Sequence, residues 1–111
     1  MNFGDYQNLA SRTMAQEEPV DRAMANFALG LCGEAGELGN KIKKVVFHGH
    51  ELTDEAKAEI LEEIGDCLWY LASVCTMFGE SLGVVAIDNI KKLAKRYPDG
   101  FSTQNSINRV A

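Results

Sequence analysis

Residues 27–42 read Phe27-Ala28-Leu29-Gly30-Leu31-Cys32-Gly33-Glu34-Ala35-Gly36-Glu37-Leu38-Gly39-Asn40-Lys41-Ile42, and this stretch decides the fold. Phe27, Leu31, Leu38, Ile42 and the following Val45 recur at helical spacing. At about 100° per residue they share one narrow arc. Glu34 falls with them and Glu37 sits at the arc's edge, where a helix that merely faced water would keep its acids on the opposite side. An ionised carboxylate turned toward a core costs several kcal/mol unless it is paired or ligates a metal.

A second segment repeats the pattern. Ile60, Ile64, Cys67, Leu71, Val74, Cys75 and Phe78 form an apolar face, with Glu63 on its flank and Asp66 next around. Glu62 points further out, as a solvated neighbour. Residues three apart share a helix face, so Glu34-x-x-Glu37 and Glu63-x-x-Asp66 each aim two acids one way. Two such helices packed together converge four carboxylates, which repel unless they bind a proton or share a cation. A di-iron bundle would also need a Glu-x-x-His on each of two helices. Neither His48 nor His50 follows a glutamate by three, so that option fails.

Working outward, four helical segments are predicted and no β alternation runs for more than a few residues. The first covers about Asn2 to Ala15 and is broken by Glu17-Glu18-Pro19. The second runs from near Asp21 to about Val46 and ends at His48-Gly49-His50. The third opens at Thr53, an N-cap followed by the acids Asp54 and Glu55, and stops at Gly79. The fourth starts from Ser81 and ends near Tyr97, before Pro98-Asp99-Gly100. The polar tail beyond is expected to be loosely held. The fold expected is all-α, an antiparallel helical bundle of about four helices, in a single domain spanning 1–111. Trp69 lies roughly opposite the third segment's apolar stripe, so that helix is either central or covered by a second subunit, with Trp69 as an interface anchor.

Composition narrows the function. The chain has 111 residues, 46% of them apolar, and a net charge of −5. That balance argues against broad nucleic-acid or membrane-surface binding, which needs a positive face. No apolar run is long enough to span a membrane and no basic-then-apolar leader is present, so a cytoplasmic protein is expected. Cys32, Cys67 and Cys75 show no ligand spacing and are expected as buried, reduced thiols. His48 and His50 are expected as surface residues of a turn.

Gly33-Glu34-Ala35-Gly36-Glu37-Leu38 followed by Glu62-Glu63-Ile64-Gly65-Asp66 resembles the MazG-like nucleotide pyrophosphohydrolases, of the all-α nucleoside triphosphate pyrophosphatase superfamily. In that family ExxE is followed, after one to three dozen residues, by ExxD; here 25 residues separate Glu37 from Glu63. Asn89-Ile90-Lys91-Lys92-Leu93 with Arg96-Tyr97-Pro98 is similar to the family's closing helix, and Tyr6-Gln7 and Arg12-Thr13 to the start of short members.

The resemblance implies a homodimer or homotetramer that cleaves a (deoxy)nucleoside triphosphate to the monophosphate and pyrophosphate. Glu34, Glu37, Glu63 and Asp66 would be the Mg²⁺ ligands, with Glu34 or Glu37 doubling as base or water-orienting group. Mg²⁺ suits this independently, because it prefers carboxylates, keeps several waters and bridges to phosphates. Asn89, Lys92 and Arg96, three and four apart on one stripe, would contact phosphate. Tyr70, one turn beyond Asp66, would line the substrate site. The alternatives are a non-catalytic helical regulatory protein, or a relative acting on phosphoribosyl-ATP or dUTP.

Overall fold

The computed structural model describes residues 1–15 and 19–109. Its helices are α1 (Phe3–Ser11), α2 (Val20–Phe47), α3 (Asp54–Met77), α4 (Leu82–Arg96) and a short α5 (Thr103–Ile107). There is no strand among the described residues, and the all-α reading holds. α5 falls in the tail, where Ser102 Oγ caps it by accepting from Asn105 N–H at 3.0 Å. The predicted break at Glu17-Glu18-Pro19 falls largely on residues 16–18, outside the described residues; Pro19 itself is the N-cap of α2.

Local chemistry sets the boundaries. Except at Pro19 of α2, each N-cap side chain accepts from a first-turn N–H that has no partner inside its helix. Asn2 Oδ1 takes Asp5 N–H at 2.8 Å, Thr53 Oγ1 takes Ala56 N–H at 3.1 Å and Ser81 Oγ takes Val84 N–H at 3.3 Å. α3 ends in a Schellman turn. Gly79 takes a φ of +69°, its N–H returns to the Thr76 carbonyl at 3.0 Å, and Glu80 N–H returns to Cys75 at 2.9 Å. A side chain at 79 would be strained in that left-handed conformation, which glycine adopts without steric cost. The turn swings α4 away from α3 by 103°.

α2 and α3 form the long antiparallel hairpin that carries the site, and α1 packs on α3 and on α4. Gln7 ties the pieces together. Its Nε2 donates to Thr76 Oγ1 at 3.0 Å and to the Glu80 carbonyl at 2.8 Å, while its Oε1 accepts from Leu82 N–H at 2.8 Å. One side chain of α1 thus grips both sides of the α3–α4 bend.

The core is small. It comprises Ala10, Ala23, Phe27, Ala72 and Leu82, with Ser73 buried beside them and donating to the Trp69 carbonyl at 2.8 Å. Phe27, only 2% exposed, meets Trp69 edge-on with ring centroids 5.7 Å apart. Trp69, expected opposite the apolar stripe, is therefore engaged within its own chain, and its Nε1 also donates to Thr13 Oγ1 at 2.8 Å. Much of the predicted apolar face lies open instead: Ile42, Ile64, Leu71 and Phe78 are 44–62% exposed. Cys32 is exposed rather than buried, since it sits off the arc that carries Leu31; Cys67 and Cys75 are half-buried, and all three are free thiols.

The chain is also more open than its size requires. Its radius of gyration is 17.1 Å, against about 13 Å for a compact domain of this length. Its accessible surface is 8092 Å², some 2,000 Å² above the roughly 6,100 Å² expected for a folded monomer of its mass. α4 contributes strongly, with Val84, Val85, Ile87, Ile90 and Leu93 all exposed.

Candidate metal centre

The antiparallel hairpin brings the middle of α2 against the middle of α3, and three of the four predicted acids meet there. One carboxylate oxygen from each of Glu34, Glu37 and Glu63 lies within 4.8 Å of the others. Glu34 and Glu63 are half-buried and Glu37 is exposed. Glu63 Oε2 is sealed from solvent with no hydrogen-bond partner facing it.

Glu63 is the strained member. Its carboxyl is held above the usual range, first by a hydrogen bond with Glu34, then by burial and by the charges of Glu34 and Asp66, with Lys41 opposing. The two carboxylates face each other with Glu63 Oε2 left unpartnered, so a second negative charge here is costly and a cation would relieve it. Oxygen-only donors of this kind suit a hard divalent cation.

Asp66 stands apart. It is exposed and lies outside the three-acid group, although its charge reaches Glu63 and Cys67 and helps push the Tyr6 hydroxyl up after burial has done most of it. The Cys67 thiol is raised mainly by burial and then by Glu34, Glu63 and Asp66. Nor does the single chain bring the α4 stripe to the acids. Asn89 and Lys92 are exposed, and Arg96, half-buried, keeps its Nε out of solvent with no hydrogen-bond partner. The cation whose field reaches Glu63 is Lys41 of α2, which also pairs with Glu59 at 3.4 Å. Beyond that pair a cavity of about 220 Å³ opens, lined by Lys41, Lys44, His50, Glu51 and Glu59.

Tyr70 is half-buried one turn past Asp66, with its ring edge-on to Trp69 at 5.0 Å and against the backbone of α2 at Gly30. Two participants escaped the sequence reading. Lys41, with Lys43 and Lys44, reads from sequence only as a cation favoured near a helix C-terminus, and Gly30 carries no signal of its own. The signal for both was the antiparallel register, which sets Lys41 opposite Glu59 and Gly30 opposite Tyr70 once Glu34 and Glu63 are paired.

Comparison with known proteins identifies the family. The profile of the MazG nucleotide pyrophosphohydrolase domain matches residues 22–101, a span that holds all four acids, Tyr70 and the α4 stripe. The chain is also 31% identical to the Gene 37 protein of Mycobacterium phage L5 over 114 residues, covering 98% of this chain and 100% of that protein. No solved structure matches at a significant level. With the family profile matching most of its length, the chain belongs to the family of MazG nucleotide pyrophosphohydrolase domains.

Proposed function

We propose that this protein hydrolyses (deoxy)nucleoside triphosphates between the α and β phosphates, with Mg²⁺ at the α2–α3 acid cluster, and so removes surplus or non-standard nucleotides. The observation that carries the reading is the orphaned Glu63 Oε2 within a cluster of three carboxylate oxygens that fit within 4.8 Å. Glu34, Glu37 and Glu63 would hold the ion, with the charge of Asp66 adding to its field. The ion would supply charge neutralisation for the triphosphate and a lowered pKa for bound water.

The chain's own groups divide the remaining work. Glu34 and Glu63 face each other and are half-buried, which suits fixed ligation. Glu37 faces solvent, so it is the group placed to accept a proton from the attacking water. Water adds at the α-phosphorus, the bond to the α–β bridging oxygen breaks, and pyrophosphate leaves. Lys41, whose charge reaches Glu63, would add positive field for the departing phosphates.

A second copy of the chain completes the reading. The surplus of about 2,000 Å² of surface exceeds the roughly 800 Å² per partner of a standard interface, and much of it is apolar on α2, α3 and α4. In the single chain α4 packs on α1 and α3; a neighbouring copy is the source from which Asn89, Lys92 and Arg96 would reach an acid cluster. The test is incubation with a nucleotide panel and Mg²⁺, scoring products. Monophosphate with pyrophosphate is expected, and Glu37→Gln should abolish turnover while the helical fold and oligomer persist. Release of orthophosphate with a diphosphate would reject the bond assignment.

A further inference from the structure

Gly30 lies one helical turn before Glu34, and Tyr70 one turn after Asp66. The two meet across the hairpin in the layer next to the acids. A Cβ built on Gly30 would fall 2.2 Å from Tyr70 Cε1, 2.4 Å from Cζ and 2.9 Å from Cδ1. Three ring carbons at that range place the ring against bare α2 backbone, in space that any side chain would claim. Ordinary contact begins at 3.4 Å, so an alanine at 30 forces a displacement of about 1.2 Å, the difference between 3.4 and 2.2. The α2 glycines Gly33, Gly36 and Gly39 have nothing within 4 Å of such a Cβ. Gly30 is the α2 glycine whose missing side chain another residue occupies.

The ring has an aromatic neighbour as well. Trp69 stands edge-on to Tyr70 at 89°, and Phe27 fixes Trp69 in turn. Tyr70 thus packs on both bare backbone and indole. A displacement at Gly30 must therefore be taken up by the ring's depth in the hairpin or by the spacing of the helices beside the acids.

We propose that Gly30 is a positioning residue for substrate: its missing side chain sets the depth at which Tyr70 seats, and so the clearance between that ring and a nucleotide held at the acid cluster. This rests on the nucleotide reading above. Gly30 touches no substrate itself. It acts through Tyr70, so its removal should alter how substrate fits rather than the bond-breaking step.

The experiment is a double-mutant cycle of Gly30→Ala and Tyr70→Ala in the full chain, reading KM, kcat and Trp69 emission for each form. Gly30→Ala is expected to raise KM for the best nucleoside triphosphate by about tenfold while kcat stays within about threefold. With Tyr70 already alanine, the same change should leave KM unaltered. An unchanged KM, or an equal rise in both backgrounds, overturns the proposal. Trp69 is the single tryptophan and needs no substrate. A change in its emission on Gly30→Ala that disappears in the Tyr70→Ala background supports the seat independently of turnover. No change in emission overturns it. If Gly30→Ala alone does not fold, the double variant should, and its failure to do so also overturns the steric account. A wild-type protein that cleaves no nucleotide sinks the functional reading instead, and the emission cycle then decides the seat on its own.

Discussion

Gln7→Ala removes three hydrogen bonds that join α1 to the α3–α4 bend. The group at greatest risk is Leu82 N–H. It is the first amide of α4, has no partner within its own helix, and belongs to a residue only 8% exposed. Alanine leaves it without the acceptor now 2.8 Å away. Thr76 Oγ1 and the Glu80 carbonyl lose a donor but can turn to water. At about 0.5–1.5 kcal/mol for each bond, and the upper end for the buried amide, the loss comes to roughly 2–3 kcal/mol. For a domain of this length 1 kcal/mol moves Tm by about 4 °C, so Tm should fall by roughly 8–12 °C. The assay is thermal unfolding followed by circular dichroism at fixed protein concentration, because a self-associating chain melts in a concentration-dependent way. Hydrogen exchange at Leu82 N–H should accelerate in parallel. Gln7→Glu keeps an acceptor for that amide but turns a carboxylate oxygen toward the Glu80 carbonyl, so it should not rescue the loss. A Tm within about 2 °C of wild type for Gln7→Ala, with protection at Leu82 unchanged, would refute the reasoning.

Two further outcomes follow from the acid cluster and the thiols. In chelator, Glu63→Gln should raise Tm at neutral pH, because the folded state holds this carboxyl above its ordinary value of 4.5 and charging it therefore costs stability. The sign sets the window: the gap between variant and wild type should be present above the folded-state pKa and shrink as pH falls through it toward 4.5. Saturating Mg²⁺ should reverse the order, and a pH-independent gap in chelator would contradict the assignment. Among the thiols, exposed Cys32 should react fastest with a disulfide reagent, and Cys67, half-buried and raised by burial and three nearby acids, more slowly. Mass mapping of the first-labelled cysteine checks this; labelling of Cys67 first would be inconsistent with the packing.

What the sequence could reveal was whatever depends on local periodicity and capping. Thr53 and Ser81 cap the helices they were expected to cap, and Gly79 ends α3 because its left-handed turn follows from residue type alone. Glu34, Glu37 and Glu63 were legible because acids on an apolar arc are costly without a partner. Relations across the hairpin were not legible. The Gly30–Tyr70 contact, the Lys41–Glu59 pair and the engagement of Trp69 with Phe27 all depend on the α2–α3 register, which periodicity does not specify. The bracing of the 103° bend by Gln7 is likewise hidden, since its three bonds reach residues about seventy positions away. Exposure of Ile42, Ile64, Leu71 and Phe78 could not be foreseen either, since a hydropathy pattern marks a face that needs covering without saying which molecule covers it.

Three carboxylate oxygens within 4.8 Å of one another, beside a sealed Glu63 Oε2 that has no partner, concentrate negative potential at the midpoint of the α2–α3 hairpin. With magnesium seated there as proposed, its removal would set the two helices repelling at their middle rather than at an end. Chelation is then expected to loosen the hairpin from the centre outward, with amide exchange quickening first around positions 34–37 and 63–66.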